Sequence, residues 1–115
     1  MLRGEMRLVD LDPARAGEAN KRRPAVLVSN DGANTTAAKL GRGVVTVVPI
    51  TTNVDRVYPF QVLIPAHASG LGRDSKAQAE QVRSVSVDRV TDRIGTVAPE
   101  SMLEVDEALR LHLAI

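Results

Sequence analysis

The feature that most restricts the fold is the run Val44–Ile50, which is apolar at every position except Thr46. A strand with apolar residues on both faces must be covered on both sides, so this run predicts a central strand of a sheet. Valine supplies 16 of the 115 residues, and its branched Cβ fits a pleated surface better than a helix. We therefore expect one domain, residues 1–115, with a mainly β core of small aliphatic side chains.

Alternating apolar residues and turn residues predict the elements around this strand. Asn30–Gly32 has the residues of a turn that ends the second strand, and 34–40 fits either a short helix or an irregular segment. Residues 13–22 are small, polar and basic, which is typical of a loop, and loops of that length often carry function. The predicted strands are Glu5–Leu11, Pro24–Ser29, Val44–Ile50, Tyr58–Ile64, a bulged strand within Ser75–Val87, and Arg93–Val97.

The last part of the chain has the pattern of an amphipathic helix. Pro99 favours the first turn of a helix, and Glu100 suits its positive end. Apolar positions then recur at steps of three and four residues, so we expect one face of this helix to pack on the β-structure. We place on or beside that face Met102, Leu103, Val105, Ala108, Leu109, His112 and Leu113.

Composition excludes several classes of protein. The chain has no cysteine, so a disulfide framework and a thiolate zinc site are excluded, and a reducing cytosol is suitable. Apolar stretches are far shorter than the roughly 20 residues needed to span a bilayer, and the charged N-terminus is unlike a signal peptide. We expect a soluble, cytoplasmic protein. Because Tyr58 and Phe60 are the only aromatic residues, a sheet surface that stacks nucleic-acid bases is not expected.

Charge is distributed unevenly along the chain. Residues 1–98 carry 14 of the 15 basic residues and 10 of the 14 acids, whereas the predicted helix carries Arg110 against four acids. The body is therefore mildly basic and the tail acidic. A polyanion fits the body, but only a local cluster of cations would give real affinity.

Two strand ends carry side chains that suit a phosphate. Lys21, Arg22 and Arg23 lead into the second strand, and the central strand delivers Thr51 and Thr52 at its far end. The guanidinium group presents a rigid fork that matches phosphate geometry. Each of these two groups alone has an ordinary explanation, because basic residues often lie at the edge of a solvated loop and threonines commonly end strands. Only the pair together indicates an anion site at one rim of the β-structure.

The segment Glu80–Ser84 is the second candidate. Four of its five residues are polar, and on one strand they cannot all face one way, so a bulge or a strand end must re-aim some of them. An exposed strand edge is the ordinary alternative. His67 and His112 lack the spacing of metal ligands, so His67 is read as a solvated loop residue and His112 as a packed one. We expect no metal and no cofactor.

These residues, taken in order, resemble the MazF/PemK family, the toxin halves of bacterial toxin–antitoxin pairs. The resemblance runs from residue 3 to about residue 113. The matching segments are Arg3–Glu5, Leu8–Pro13, Arg23–Asn30, Val48–Thr51, Asp74–Ser75, Glu80–Ser84 and Val105–Leu109.

The resemblance implies a fold, an activity and partners. The fold is a compact SH3-like β-barrel with a C-terminal amphipathic helix, working as a homodimer. The activity is that of a metal-independent endoribonuclease, which cuts single-stranded RNA at short sequences and leaves a 2′,3′-cyclic phosphate and a 5′-hydroxyl. A cognate antitoxin would occupy the RNA groove with an acidic or apolar tail.

The resemblance also assigns residues. The matched catalytic pair is Arg23 and Thr51, and because arginine stays protonated we assign Arg23 to charge stabilisation. Some relatives use acids placed like Glu18 or Glu80, so the general base stays open between these two. The chain has no histidine in its first loop, which excludes a histidine-assisted variant. Candidate RNA contacts are Lys21, Arg22, Thr52, Ser75, Gln81, Arg83 and Ser84.

Two other functions use the same scaffold. A CcdB-like toxin poisons DNA gyrase without any nuclease activity, and such a protein has no chemical need for the Arg23 and Thr51 pair. A module that binds antitoxin but has lost activity is the third reading. The RNA sequence that is cut depends on loops 13–22 and 52–57 and is not readable from the residues.

Overall fold

The computed structural model describes residues 1–11 and 22–115, and within them the chain forms seven strands and two helices. The predicted loop 13–22 lies outside the described residues except for Arg22, which begins a strand. The strands are β1 (Glu5–Asp10), β2 (Arg22–Leu27), β3 (Val44–Thr51), β4 (Gln61–Ile64), β5 (Ser75–Gln78), β6 (Arg83–Ser86) and β7 (Val90–Thr96), and the helices are α1 (Asp31–Leu40) and α2 (Pro99–Leu113).

Strand β3 is the centre of the sheet, as its sequence predicts. The strands follow the order β4-β5-β3-β2-β1-β7, with β6 also paired to β3, and all of these pairings are antiparallel. The end strands β4 and β7 do not pair with each other within the described residues. The fold is therefore mainly β and barrel-like, with a sheet that is not closed.

Two apolar cores cover the two faces of β2 and β3. Val45 and Val47 belong to the core that includes Ala37 of α1, which we call the α1-side core. Val48 and Ile50 belong to the core that includes two buried residues of α2, the α2-side core. Successive side chains of a strand point to opposite faces, so the unbroken apolar run of β3 follows from burial on both sides.

Helix α1 resolves the open prediction for 34–40 and corrects the prediction for Asn30–Gly32. Asn30 does not end a strand by a left-handed turn; it is the N-cap, and its side-chain oxygen accepts a hydrogen bond from the Ala33 N–H at 2.8 Å. This bond satisfies one of the unpaired N–H groups of the first turn. Asn34 is fully buried, and its amide donates to the Ser29 carbonyl at 2.8 Å, which fixes the helix to the chain before it.

Two predicted strands are shorter than their sequence patterns indicate. The strand predicted over Tyr58–Ile64 begins only at Gln61, because Tyr58 stacks on Phe60 and the Gln61 N–H closes a turn on the Tyr58 carbonyl. The bulged strand predicted within Ser75–Val87 is two strands, β5 and β6. A 3-10 turn at Ala79–Gln81 separates them, and it replaces the expected bulge.

Helix α2 packs on the sheet as predicted, with one correction. Val105 and Ala108 are buried, and Met102 and Leu109 pack against the same core. His112 is exposed, so the prediction that it packs is wrong. Its position lies past the end of the sheet-facing stripe, in the last turn of the helix. Within the described residues, no helix is long and apolar enough to cross a membrane.

Gly95 marks the closest approach of a loop to the sheet. It lies in β7 opposite Met6, and a Cβ built on it would stand 2.3 Å from the carbonyl oxygen of Ser69. No rotamer change relieves a contact with backbone. The segment before β5 therefore crosses β7 at a distance that only glycine permits.

Replacing this glycine tests the packing of that segment. We expect Gly95→Ala to lower the free energy of unfolding by about 1–3 kcal/mol, since the backbone has to shift. Gly72→Ala is the matched control, because a Cβ there meets nothing within 4 Å. Urea denaturation of both variants measures the difference, and equal midpoints would contradict the close approach.

Candidate functional site

The register of β2 and β3 brings the predicted pair together. Ala25 lies opposite Pro49, Val26 opposite Val48 and Leu27 opposite Val47. Past Ala25 and Pro49 the two strands continue to Arg23 and Thr51, and both of these residues line one cavity. The two residues therefore lie at the same end of the strand pair.

Both side chains line the same depression at the end of these strands. One cavity, of about 220 Å³, is lined by Arg23 and Thr51 over a floor that includes Pro24 and Ile50. A second cavity of about 240 Å³ shares Pro24, Ile50, Thr51 and Thr52 and continues to the wall formed by residues 71–73 and Ser75. We call the two together the Arg23–Thr51 groove. Its further lining residues are Arg22, Leu71, Gly72 and Arg73.

The chemistry of this groove suits an anion. Three arginines and two threonines surround an apolar floor, and no carboxylate is among the described residues that line it. The Thr51 hydroxyl oxygen accepts a hydrogen bond from the Asn53 N–H at 3.3 Å. A hydroxyl has one hydrogen and two lone pairs, so this bond leaves the Thr51 hydrogen available to donate. Arg23 and Thr51 can thus both donate to one bound phosphate.

The sequence-predicted RNA contacts divide into two groups. Arg22, Thr52 and Ser75 line the groove. The Arg22 guanidinium also donates to the Thr91 hydroxyl at 3.2 Å, which holds it toward β7. Ser75 is buried, and its hydroxyl donates to the Arg73 carbonyl at 3.0 Å, so it orients the wall of the groove.

The second group lies farther along β3. Arg83 pairs with Val47 and Ser84 with Thr46; at about 3.3 Å per residue they are roughly 13 and 17 Å from Thr51 along the strand. The Arg83 guanidinium donates to the Leu11 carbonyl at 3.3 Å. Ser84 is exposed, and Gln81 is half-buried in the turn before β6. None of the three lines the groove, and their roles stay predictions.

Glu80 lies in the 3-10 turn between β5 and β6 and is half-buried. Its Oε2 accepts a hydrogen bond from the Gln61 amide at 2.7 Å. Its Oε1 is buried without a partner among the described residues, as is Oε1 of Gln78, which pairs with Gln61 across the sheet. A buried acceptor without a partner is suited to a donor from an ordered water or a ligand.

Two predicted residues, Glu18 and Lys21, lie outside the described residues. His67 is exposed, as predicted. In the part of the chain that the structure describes, no three His, Cys, Asp or Glu side chains form a group that could hold a metal ion.

Sequence reasoning missed three residues that the structure connects to the candidate residues. Arg73 forms part of its wall, Gln61 holds Glu80, and Lys76 lies opposite Thr51 on β5. Lys76 is 7% exposed, although a lysine between Ser75 and Ala77 looks in sequence like an ordinary solvated strand position. No spacing or motif in the sequence marks these residues, because their contacts are with residues distant in the chain.

Comparisons with known proteins agree with this architecture. A family model described as "PemK-like, MazF-like toxin of type II toxin-antitoxin system" matches residues 2–113. Endoribonuclease MazF9 of Mycobacterium tuberculosis is 59% identical over 113 residues, covering 98% of this chain and 96% of the relative. Endoribonuclease EndoA of Bacillus subtilis is 33% identical over 114 residues, covering 98% and 94%.

Solved structures share the fold over the whole chain. MazF from Deinococcus radiodurans superposes with a TM-score of 0.83 at 24% identity, covering 100% of this chain and 97% of that one. An endoribonuclease in complex with its cognate antitoxin, from a mycobacterial species, superposes with a TM-score of 0.79 at 25% identity, covering 100% and 96%.

Proposed function

The chain belongs to the family of PemK-like, MazF-like toxins of type II toxin–antitoxin systems, and from this premise we propose that it is an endoribonuclease. It cleaves single-stranded RNA at short specific sequences, without a metal ion. The observation that carries the proposal is that Arg23 and Thr51 line one cavity, in a groove free of lining carboxylates within the described residues. Arginine and hydroxyl donors facing one another suit a phosphodiester.

The reaction is an internal transfer of the phosphoryl group. The ribose 2′-oxygen attacks phosphorus, the new O2′–P bond forms, and the P–O5′ bond breaks. One proton leaves the 2′-hydroxyl for a base, and one reaches the departing 5′-oxygen. The products are a 2′,3′-cyclic phosphate and a 5′-hydroxyl, and no external nucleophile is consumed.

Negative charge accumulates on the non-bridging oxygens of the phosphate as the O2′–P bond forms and the P–O5′ bond breaks. Donors already aimed at those oxygens stabilise the transition state more than the ground state. We assign this role to the Arg23 guanidinium and the Thr51 hydroxyl. The Asn53 N–H holds the Thr51 oxygen at 3.3 Å, which fixes the direction in which its hydrogen points.

For the proton acceptor we favour Glu80 over Glu18. Glu80 has one carboxylate oxygen fixed by Gln61 and the other buried without a partner among the described residues. An oriented carboxylate with a vacant oxygen is suited to accept a proton. Gln61 and Gln78 lie on β4 and β5, and Glu80 lies in the turn after β5, the strand that pairs with β3 at Thr51.

A cognate antitoxin and a second copy of the chain complete the proposed system. The mycobacterial structure holds an endoribonuclease with its antitoxin. The groove has an apolar floor and arginines at its walls, so an antitoxin segment with acidic and apolar side chains fits it. No observation favours the gyrase-poison alternative, since nothing in that function uses the Arg23 and Thr51 pair.

Removing the guanidinium tests the central assignment. We expect Arg23→Ala to cleave a long single-stranded RNA at least about 100-fold more slowly than the unchanged protein, because a preorganised donor to the developing charge is lost. The assay contains EDTA, and mapping of 5′-hydroxyl ends identifies the cut sites. Circular dichroism checks that the variant keeps its fold.

Arg42→Ala is the matched control for this test. Arg42 is exposed in the turn before β3, at the opposite end of that strand from Thr51. The Arg42→Ala protein should cut the RNA at the rate of the unchanged protein. An active Arg23→Ala protein would overturn the assignment. Intact RNA together with inhibited DNA supercoiling by the unchanged protein would support the gyrase alternative.

The base is tested by an isosteric change. We expect Glu80→Gln to lower the cleavage rate by about 100-fold or more, since general base catalysis contributes about 10²–10⁴. The glutamine oxygen can still accept the Gln61 hydrogen bond, so the fold should be unaffected. Glu18→Gln is measured beside it at several pH values. A large loss in the Glu18 variant and none in the Glu80 variant would move the role to Glu18.

A further inference from the structure

Lys76 is a buried lysine beside the proposed catalytic pair. It lies in β5 between Thr51 of β3 and Leu63 of β4, and only 7% of its surface is exposed. Arg23 lies on β2, the other neighbour of β3, and lines one cavity with Thr51. The threonine therefore has a cationic residue on each neighbouring strand.

The burial of this ammonium group calls for an explanation. Lysine is almost never fully buried unless it is paired. Within the described residues Lys76 forms no ion pair, and its Nζ donates one hydrogen bond, to the carbonyl of Arg56 at 2.6 Å. A methionine or leucine would fill the same space without the cost of removing a charge from water. Within the described residues, the bond to the Arg56 carbonyl is the contact that compensates this charge.

Arg56 lies in the middle of the loop formed by residues 52–60, which joins β3 to β4. Most hydrogen bonds of this loop are internal or reach its own two strands: Asn53 bonds to Thr51, Asp55 to Asn53, and Tyr58 to Gln61. Within the described residues, Lys76 is the one side chain outside 51–61 that is hydrogen-bonded to the loop.

The loop presents a stacked set of side chains to solvent. The rings of Tyr58 and Phe60 are parallel, with centroids 5.3 Å apart, and the Arg56 guanidinium lies 5.6 Å from the Tyr58 ring centre. Tyr58 is 42% exposed. The loop also begins at Thr52, which lines the groove. Nucleotides that flank a phosphate in the groove would therefore meet this loop.

We propose that Lys76 is a positioning residue for RNA sequence selection, and that it acts by fixing the 52–60 loop through the Arg56 carbonyl. The proposal rests on the proposed endoribonuclease function. Without the ammonium group, the middle of the loop loses its bond to β5, and the surface that meets the flanking nucleotides becomes mobile. The Asn53 N–H that orients Thr51 lies in the same loop, so the cleavage rate should also fall.

The loop can be observed without any activity. Tyr58 is the only tyrosine and the chain has no tryptophan, so intrinsic tyrosine emission reports on this loop alone. We expect Lys76→Met to increase quenching of that emission by acrylamide. Lys39→Met is the matched control, since it removes the same charge from an exposed position on α1 and should leave the quenching unchanged.

Sequence selection is measured on the same variants. The preferred cut site is mapped first with the unchanged protein, and kcat/KM is compared between this site and the same RNA with one flanking base changed. For Lys76→Met we expect kcat/KM at the preferred site to fall about tenfold, since small misplacement near the chemistry has large effects. The ratio between the two RNAs should fall as well, whereas Lys39→Met keeps both.

The outcomes separate this proposal from the function on which it rests. The proposal would be overturned if a folded Lys76→Met protein showed unchanged acrylamide quenching and an unchanged ratio of kcat/KM between the two RNAs. It would also be overturned if the variant were less stable but kept the same ratio of kcat/KM. Lys76→Gln, which keeps an N–H donor, gives the same two readouts where the methionine variant does not fold. Intact RNA with the unchanged protein would refute the nuclease itself, while the quenching comparison would still test the tether.

Discussion

The site depends on the register between β2 and β3. Both strands are buried on both faces, so a slip of one residue would move every apolar side chain to the wrong core. Ala25 and Leu27 serve the α1-side core and Val26 the α2-side core, and the same division holds for Val45, Val47 and Val48. This packing fixes the register, and with it Arg23 and Thr51 come to line one cavity at the ends of the strands.

The proposed RNA cleavage and the proposed selection of RNA sequence use residues of the same sheet. The pairing of β5 with β3 adds Lys76 to the row that contains Thr51, and Lys76 holds the loop that follows Thr51. Gln61, where that loop ends, holds the Glu80 carboxylate at 2.7 Å. Hydrogen bonds to Asn53, Tyr58 and Gln61 therefore link the Thr51 hydroxyl, the 52–60 loop and the proposed proton acceptor Glu80. A substitution at any of these residues should therefore shift the positions of the others.

Sequence patterns predicted the sheet better than they predicted the site. The apolar run of β3 and the helical period of α2 are signals of burial, and both elements form where expected. Strand ends were less predictable: Tyr58 looks like a strand residue, but its ring stacks on Phe60 instead. Arg23 and Thr51 were predicted as a pair because Arg23 precedes one apolar run and Thr51 follows another. Lys76 was not predicted, because its burial results from the pairing of β5 with β3 and β4 and no sequence pattern within β5 indicates it.

A double-mutant cycle tests most directly whether Arg23 and Thr51 act on one phosphate. It compares the cleavage rate of one RNA by Arg23→Ala, Thr51→Val and the double variant. If both side chains bind the same phosphate, their effects are not independent. We expect the double variant to be slower than the slower single variant by no more than about tenfold. Rate losses that multiply fully in the double variant would contradict a shared site.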